Sequence, residues 1–172
     1  TSTNMNLNEV IANLVRRQTK LSVHPNNDVN LGQSSNDVVP SASLLSCNLL
    51  LQRRLLPALK QLRLSVAKKA RQGRNLIKTG RTHLMDAMPI TVEQELLAWL
   101  AQLESAAARL QDTGKRLQCL PLGGTAVGTG VNADPKMTVL ACRILSKQTG
   151  LRVTPAANKF ESMAAQDHLV EL

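Results

Sequence analysis

Thr91-Val92-Glu93-Gln94-Glu95-Leu96-Leu97-Ala98-Trp99-Leu100 opens the longest regular pattern in the chain. Thr91 as N-cap and Gln94 three positions on make a capping box, in which each side chain satisfies a backbone donor that a helix start leaves orphaned. Behind it Val92, Leu96, Leu97, Leu100, Leu103, Ala107 and Leu110 recur at helical spacing toward Cys119. A helix of roughly 28 residues would run about 42 Å. Gly114 inside it costs about 1 kcal/mol against Ala.

Working outward, the same periodicity predicts a second long helix over Val38–Gln72. Leu45, Leu49, Leu51, Leu55, Leu56, Leu59, Leu62 and Val66 form its broad apolar stripe. Pro57 lies inside it, removes one backbone donor and crowds the carbonyl four residues back, so a kink is expected there. Gly73 is the expected stop. Near the N-terminus, Asn4 to about Gln18 reads as a short helix, with Asn4 or Asn6 placed to cap it. Asp134 as N-cap and Pro135 at the first helical position start another helix that ends by Gly150, and a final one begins near Lys159. Polar loops join them: Lys20–Asp37, a short extended segment over Asn75–Lys78 followed by the loop around His83, and the Gly-rich Pro121–Pro135. No repeat or low-complexity tract interrupts the pattern. The expected fold class is all-α, a long-helix bundle. Two such long helices in so short a chain suit a bundle that completes its core with other chains.

The chain has 172 residues, enough for one domain with a real core. Hydrophobic residues make up 43% and aromatics only 1%, so Leu, Val, Ile, Ala and Met must fill the interior. The formal net charge of +9 is uneven: Val38 to Met85 holds no Asp or Glu but ten Lys and Arg. Such a surface favours anionic partners, or is a solvated helix face. Cys47, Cys119 and Cys142 match neither a zinc site nor a redox pair and read as small buried hydrophobes. Reduced thiols fit a cytoplasmic compartment or a mitochondrial matrix. No apolar run reaches the roughly 20 residues needed to span a bilayer. The start at Thr1 without Met and the stop inside a helical pattern at Leu172 read as a piece of a longer chain.

Chemistry concentrates between the helices. Gly80-Arg81-Thr82-His83-Leu84-Met85-Asp86-Ala87-Met88-Pro89 sets a cation, a hydroxyl, an imidazole and a carboxylate side by side. His83 there can handle a proton, a water or a carboxylate, or serve structure alone. Ser34-Ser35-Asn36 places two hydroxyls and an amide before a helix, where backbone donors and side chains suit a carboxylate; ordinary capping by Asn36 or Asp37 is the competing reading. His24-Pro25 heads another polar loop able to meet an anion. The Gly-rich loop, with Gly123, Gly124, Gly128 and Gly130, matches no phosphate-binding motif and reads as a flexible turn. His168 reads as surface or packing. No His, Cys and carboxylate set has metal-ligand spacing, so no metal is expected.

In order along the chain, Asn4-Met5-Asn6 with Asn8-Glu9-Val10-Ile11-Ala12-Asn13, His24-Pro25-Asn26, Gln33-Ser34-Ser35-Asn36-Asp37, Gly80-Arg81-Thr82-His83-Leu84, Gly123 to Gly130 and Ala157-Asn158-Lys159-Phe160-Glu161 resemble the class II fumarase group of the aspartase/fumarase superfamily. The resemblance spans nearly the whole chain. It implies reversible hydration of fumarate to L-malate by a homotetramer, with a central helical bundle and active sites shared between subunits, and no cofactor. Residues 1–172 would be part of that central helical domain, with Thr1–Lys20 as its N-terminal helix. By resemblance His83 orients or polarises the reacting water. Thr1, Ser34, Ser35, Asn36 and Thr82 hold substrate carboxylates or that water, and His24, Pro25, Asn26 and Asn27 form a secondary dicarboxylate site.

The family's catalytic serine loop belongs further C-terminal and is absent from these residues, so the segment alone is expected to be inactive. Asn27 stands at a commonly acidic position, and Met85 and Glu93 depart from the usual Gln and Gly. Three alternatives remain. An aspartate ammonia-lyase shares the scaffold but usually carries Gln where His83 stands. A basic helical nucleic-acid binder fits the acid-free stretch but not the dearth of aromatics for stacking. A catalytically dead homologue is the third. Neither nucleic acid nor a membrane is expected as a partner.

Overall fold

The computed structural model describes residues 2–172. In chain order its elements are α1 (Ser2–Thr19), a π-helical turn (Pro25–Val29), α2 (Ser35–Leu50), a second π-helical turn (Leu51–Leu55), α3 (Leu56–Gln72), β1 (Ile77–Thr82), β2 (Met85–Thr91), α4 (Val92–Arg116), β3 (Cys119–Leu120), α5 (Pro135–Thr149), β4 (Thr154–Pro155), α6 (Lys159–Ala164) and α7 (Asp167–Val170). The helical class holds, with two small strand pairs added. The chain divides into two units: residues up to 49 with Arg116–Leu172, and Leu50–Lys115.

In the first unit, α1 was expected to be capped by Asn4 or Asn6. Asn4 instead lies within the helix on its buried face. Asn4 and Asn8 donate their side-chain amides to the Asn30 Oδ1, at 3.4 and 3.0 Å. Three asparagines thus fasten α1 to the loop before α2. The start of α5 follows the sequence: Asp134 accepts the Lys136 backbone N–H at 2.8 Å, Pro135 holds the first position, and the helix stops at Gly150. β3 pairs in parallel with β4. Leu117, Leu120, Cys142, Val153 and Ala156 are buried here. Cys119 is exposed, against expectation, because neighbouring strand residues face opposite ways and Leu120 takes the inward side. Cys47 is half-buried. The single final helix becomes two short ones, because the backbone turns extended at Ala165 after Asn158 has capped α6.

Pro57 ends up at the second position of α3. In place of a simple kink, the turn just before it is π-helical, closed by the Leu56 N–H donating to the Leu51 carbonyl. The wider turn skips a backbone bond that the proline ring cannot make.

In the second unit, a short extended segment and a loop were expected, and an antiparallel hairpin is found. Thr82 pairs with Met85 and Ile77 with Thr91, with a bulge between Thr79 and Arg81. Gly80 is required at that bulge, since a Cβ there would lie 2.7 Å from the Met88 carbonyl oxygen. The capping box forms as read. The Thr91 N–H donates to the Gln94 Oε1 at 2.8 Å, and the Gln94 N–H to the Thr91 Oγ1 at 3.1 Å. α4 has 25 residues, about 38 Å. Its acids answer part of the basic stretch: Arg63 meets Glu104 at 2.8 Å and Lys78 meets Glu95 at 2.7 Å. Leu62, Leu64, Leu97 and Trp99 keep about half of their surface or more exposed. Among the described residues, no helix is long and apolar enough to cross a membrane.

Gln94→Ala removes half of the capping box. It is expected to lower unfolding stability by about 1 kcal/mol, read as a shifted urea midpoint with unchanged slope.

Candidate active site

The first unit builds a donor-rich corner at the start of α2. Ser34 is its cap: the Ser34 Oγ accepts the Asn36 N–H at 3.2 Å. The Asp37 Oδ1 accepts the Ser34 N–H at 3.0 Å, which closes a Ser-x-x-Asp capping box. Asp37 does more than cap. It is fully buried, and its Oδ2 accepts the backbone N–H groups of Gly123 and Thr125, both at 2.9 Å. The Asn36 side-chain amide donates to the Ala126 carbonyl at 2.8 Å. The loop read as a flexible turn is therefore pinned to the corner at three points. Its backbone takes positive φ at Gly123, Thr125, Gly128, Gly130 and Asn132.

Two clefts flank this corner. One of about 550 Å³ is lined by Ser35, Asn36, Ser43, Ala126, Phe160 and Gln166, among others. The other, about 760 Å³, is lined by Asn26, Asn27, Asn30, Gln33, Ser34, Thr125 and Asn132, among others. Ser34, Asn26 and Asn27, predicted from sequence for two different sites, thus share one wall-to-wall space.

His24 has a local task. Its Nδ1 accepts the backbone N–H groups of Asn26 and Asn27, both at 3.2 Å, and so caps the π-helical turn that Pro25 begins. Asp28 accepts the His24 N–H at 2.7 Å. With Nδ1 an acceptor, the ring proton sits on Nε2, which leaves that nitrogen as the ring's donor for a ligand.

Thr82 and His83 belong to the second unit. His83 and Leu84 are the two central residues of the β1–β2 turn, with φ of 51° and 63°. Positive φ at both is the pattern of a type I′ hairpin turn, and it puts the imidazole at the tip. His83 is exposed, not sealed among leucines. Arg81 and Asp86 pair across the strands behind it, Nε to Oδ1 at 3.0 Å. Thr82 lines a cleft of about 450 Å³ with Lys78, Arg81, Met88 and Glu95. Thr1 lies outside the described residues.

Among the described residues no three or more His, Cys, Asp or Glu gather as a metal site would need. Burial pushes the Cys142 thiol above its ordinary range, with Lys159 pulling weakly the other way. The His168 Nδ1 is buried without a hydrogen-bond partner. Sequence reasoning missed the central part of Asp37. The Ser-x-x-Asp spacing was a readable signal for its cap, but nothing local pointed to Gly123 and Thr125.

A protein-family model described as lyase matches residues 1–172. Over 172 residues the chain is 61% identical to a class II fumarate hydratase of Xylella fastidiosa (strain 9a5c), covering all of this chain and 36% of that protein. It is 46% identical to the class II fumarate hydratase of Thermus aquaticus, over all of this chain and 38% of that one. The crystal structure of recombinant class II fumarase from Schistosoma mansoni superposes with a TM-score of 0.90 at 36% identity, over 99% of this chain and 40% of that one. The chain thus spans little more than a third of the length of these relatives.

Gly128 has φ of +107° and a Cβ there would meet the Phe160 ring at 2.7 Å. Gly128→Ala is expected to cost about 2 kcal/mol in unfolding stability, read by thermal denaturation. Cys142 is expected to resist iodoacetamide at pH 8 in the folded protein and to react once urea unfolds it; mass spectrometry of the alkylated peptides reads both.

Proposed function

The chain belongs to the lyase family that its whole length matches, and from that premise we propose that it is the central part of a class II fumarate hydratase, which adds water reversibly to fumarate to give L-malate. The observation that carries the reading is the corner at the start of α2. Two serine hydroxyls and an amide meet there beside open clefts, on a helix start whose Ser34 and Asn36 backbone N–H groups are already held by Asp37 and the Ser34 Oγ. Hydroxyl and amide side chains set close together grip a carboxylate without a metal. The two relatives named above are called fumarate hydratase, which supports the same substrate.

The reaction adds a hydroxyl to one alkene carbon and a proton to the other, from opposite faces. On the reverse path, taking the proton alpha to a carboxylate builds a doubly charged aci-carboxylate. Preorganised donors lower the energy of that developing charge. Ser34, Ser35, Asn36, Thr82 and Thr1 are assigned to hold the carboxylates and the water, and His83 to orient or polarise the water. His24 to Asn27 are assigned to the secondary dicarboxylate site. The family resemblance implies a homotetramer whose active sites are assembled from several copies of the chain. The serine base lies, by family resemblance, beyond these residues. A cytoplasmic setting suits the three free thiols.

The rival readings have less support. His83 stands where ammonia-lyases usually carry Gln. The basic stretch that suggested nucleic acid already meets Glu95 and Glu104 of α4.

The full-length protein is expected to consume fumarate, followed by its ultraviolet absorbance. His83→Asn is expected to lower turnover at least about 100-fold with unchanged assembly on size-exclusion chromatography. Unchanged turnover removes His83 from the chemistry, and ammonia release from aspartate favours the rival lyase. The isolated 172-residue chain is expected to show no hydration.

A further inference from the structure

We propose that Asp37 is a positioning residue for substrate binding: its buried carboxylate sets the Ser34–Asn36 corner against the Gly-rich loop. The inference rests on reading that corner as the place where the diacid binds.

The geometry is that of a clamp with two jaws. One carboxylate oxygen holds the corner, accepting the Ser34 N–H at 3.0 Å. The other holds the loop, accepting the Gly123 and Thr125 N–H groups at 2.9 Å each. The residues joined are 86 and 88 positions apart in sequence. Asp37 has no exposed surface, so water cannot replace these bonds. A carboxylate is the only side chain of this size that accepts on both of its ends. An amide in its place, whichever way it turns, faces one jaw with an NH₂ group and leaves a buried N–H unpaired. Asn36 adds a parallel tie to the loop through the Ala126 carbonyl at 2.8 Å. The side chains that would touch substrate therefore take their position from a group that touches none.

The charge on Asp37 gives the proposal a readable sign. A buried anion at the start of α2 opposes the positive end of that helix, which would attract a substrate carboxylate. Removing the charge without moving the corner would strengthen anion binding and lower KM. Loosening the corner raises KM. Partial unfolding scales apparent kcat by the folded fraction and leaves KM alone, so a merely structural role does not imitate the effect.

The test is fumarate hydration by full-length Asp37→Asn, with Ser35→Ala measured beside it. Asp37→Asn is expected to raise KM about tenfold, with a smaller change in kcat. An unchanged or lowered KM overturns the proposal. If Ser35→Ala raises KM and Asp37→Asn does not, positioning fails alone; if neither does, the substrate reading fails with it. Should Asp37→Asn not fold, the wild-type full-length protein supplies the second measurement. Saturating succinate is expected to slow amide hydrogen exchange in peptides spanning Gly123–Thr125 at least about threefold through the clamp. Exchange there unchanged by succinate overturns the proposal.

Discussion

A single buried carboxylate organises the first unit. Asp37 closes the cap of α2 and gathers two amides of a loop that arrives from far along the chain. The exchange is demanding on both sides. A buried charge is costly unless its lone pairs are filled, and buried amides are costly unless they find an acceptor. Here each solves the other's problem. Charge-assisted bonds of this kind are worth roughly 1.5–3 kcal/mol each and fall off steeply with misalignment, so the arrangement favours one geometry over its neighbours.

The ion pairs of the second unit work on a different scale. Arg81–Asp86 is largely open to solvent, and Arg63–Glu104 is partly so. Pairs of that sort contribute about 0–1 kcal/mol and are screened by salt. They tune a surface whose basic run would otherwise repel itself. Shape in that unit comes instead from backbone rules: the bulge opposite Gly80, the two-residue turn, and the reciprocal cap at Thr91 and Gln94.

What the sequence revealed follows from the range of the interactions. Thr91 with Gln94, and Asp134 with Pro135, act within one helical turn, and their spacing states their role. The cap of α2 was readable only in part: Asp37, one of the two residues read for that task, closes it, while Ser34 and not Asn36 supplies the other half. The hairpin was hidden because Gly80 and Pro89, ordinarily strand breakers, sit inside it, and both are tolerated where a bulge or an unpaired ribbon edge allows. Cys119 misled because an apolar helical pattern ran up to it, while the backbone had already become a strand with Leu120 facing inward. The flexible-turn reading of the Gly-rich loop failed because its restraint is supplied by Asp37 and Asn36, some ninety positions earlier, and no local pattern encodes a tie of that length. Asn4 was misread as a cap because its partner, Asn30, is also distant.

The β1–β2 ribbon closes through only two residues, His83 and Leu84. Such a closure has no slack. Inserting or deleting one position would switch every following side chain of a strand to the opposite face, since strand residues alternate. The length of the tip is therefore frozen, and indels should accumulate in the other connections of this chain first.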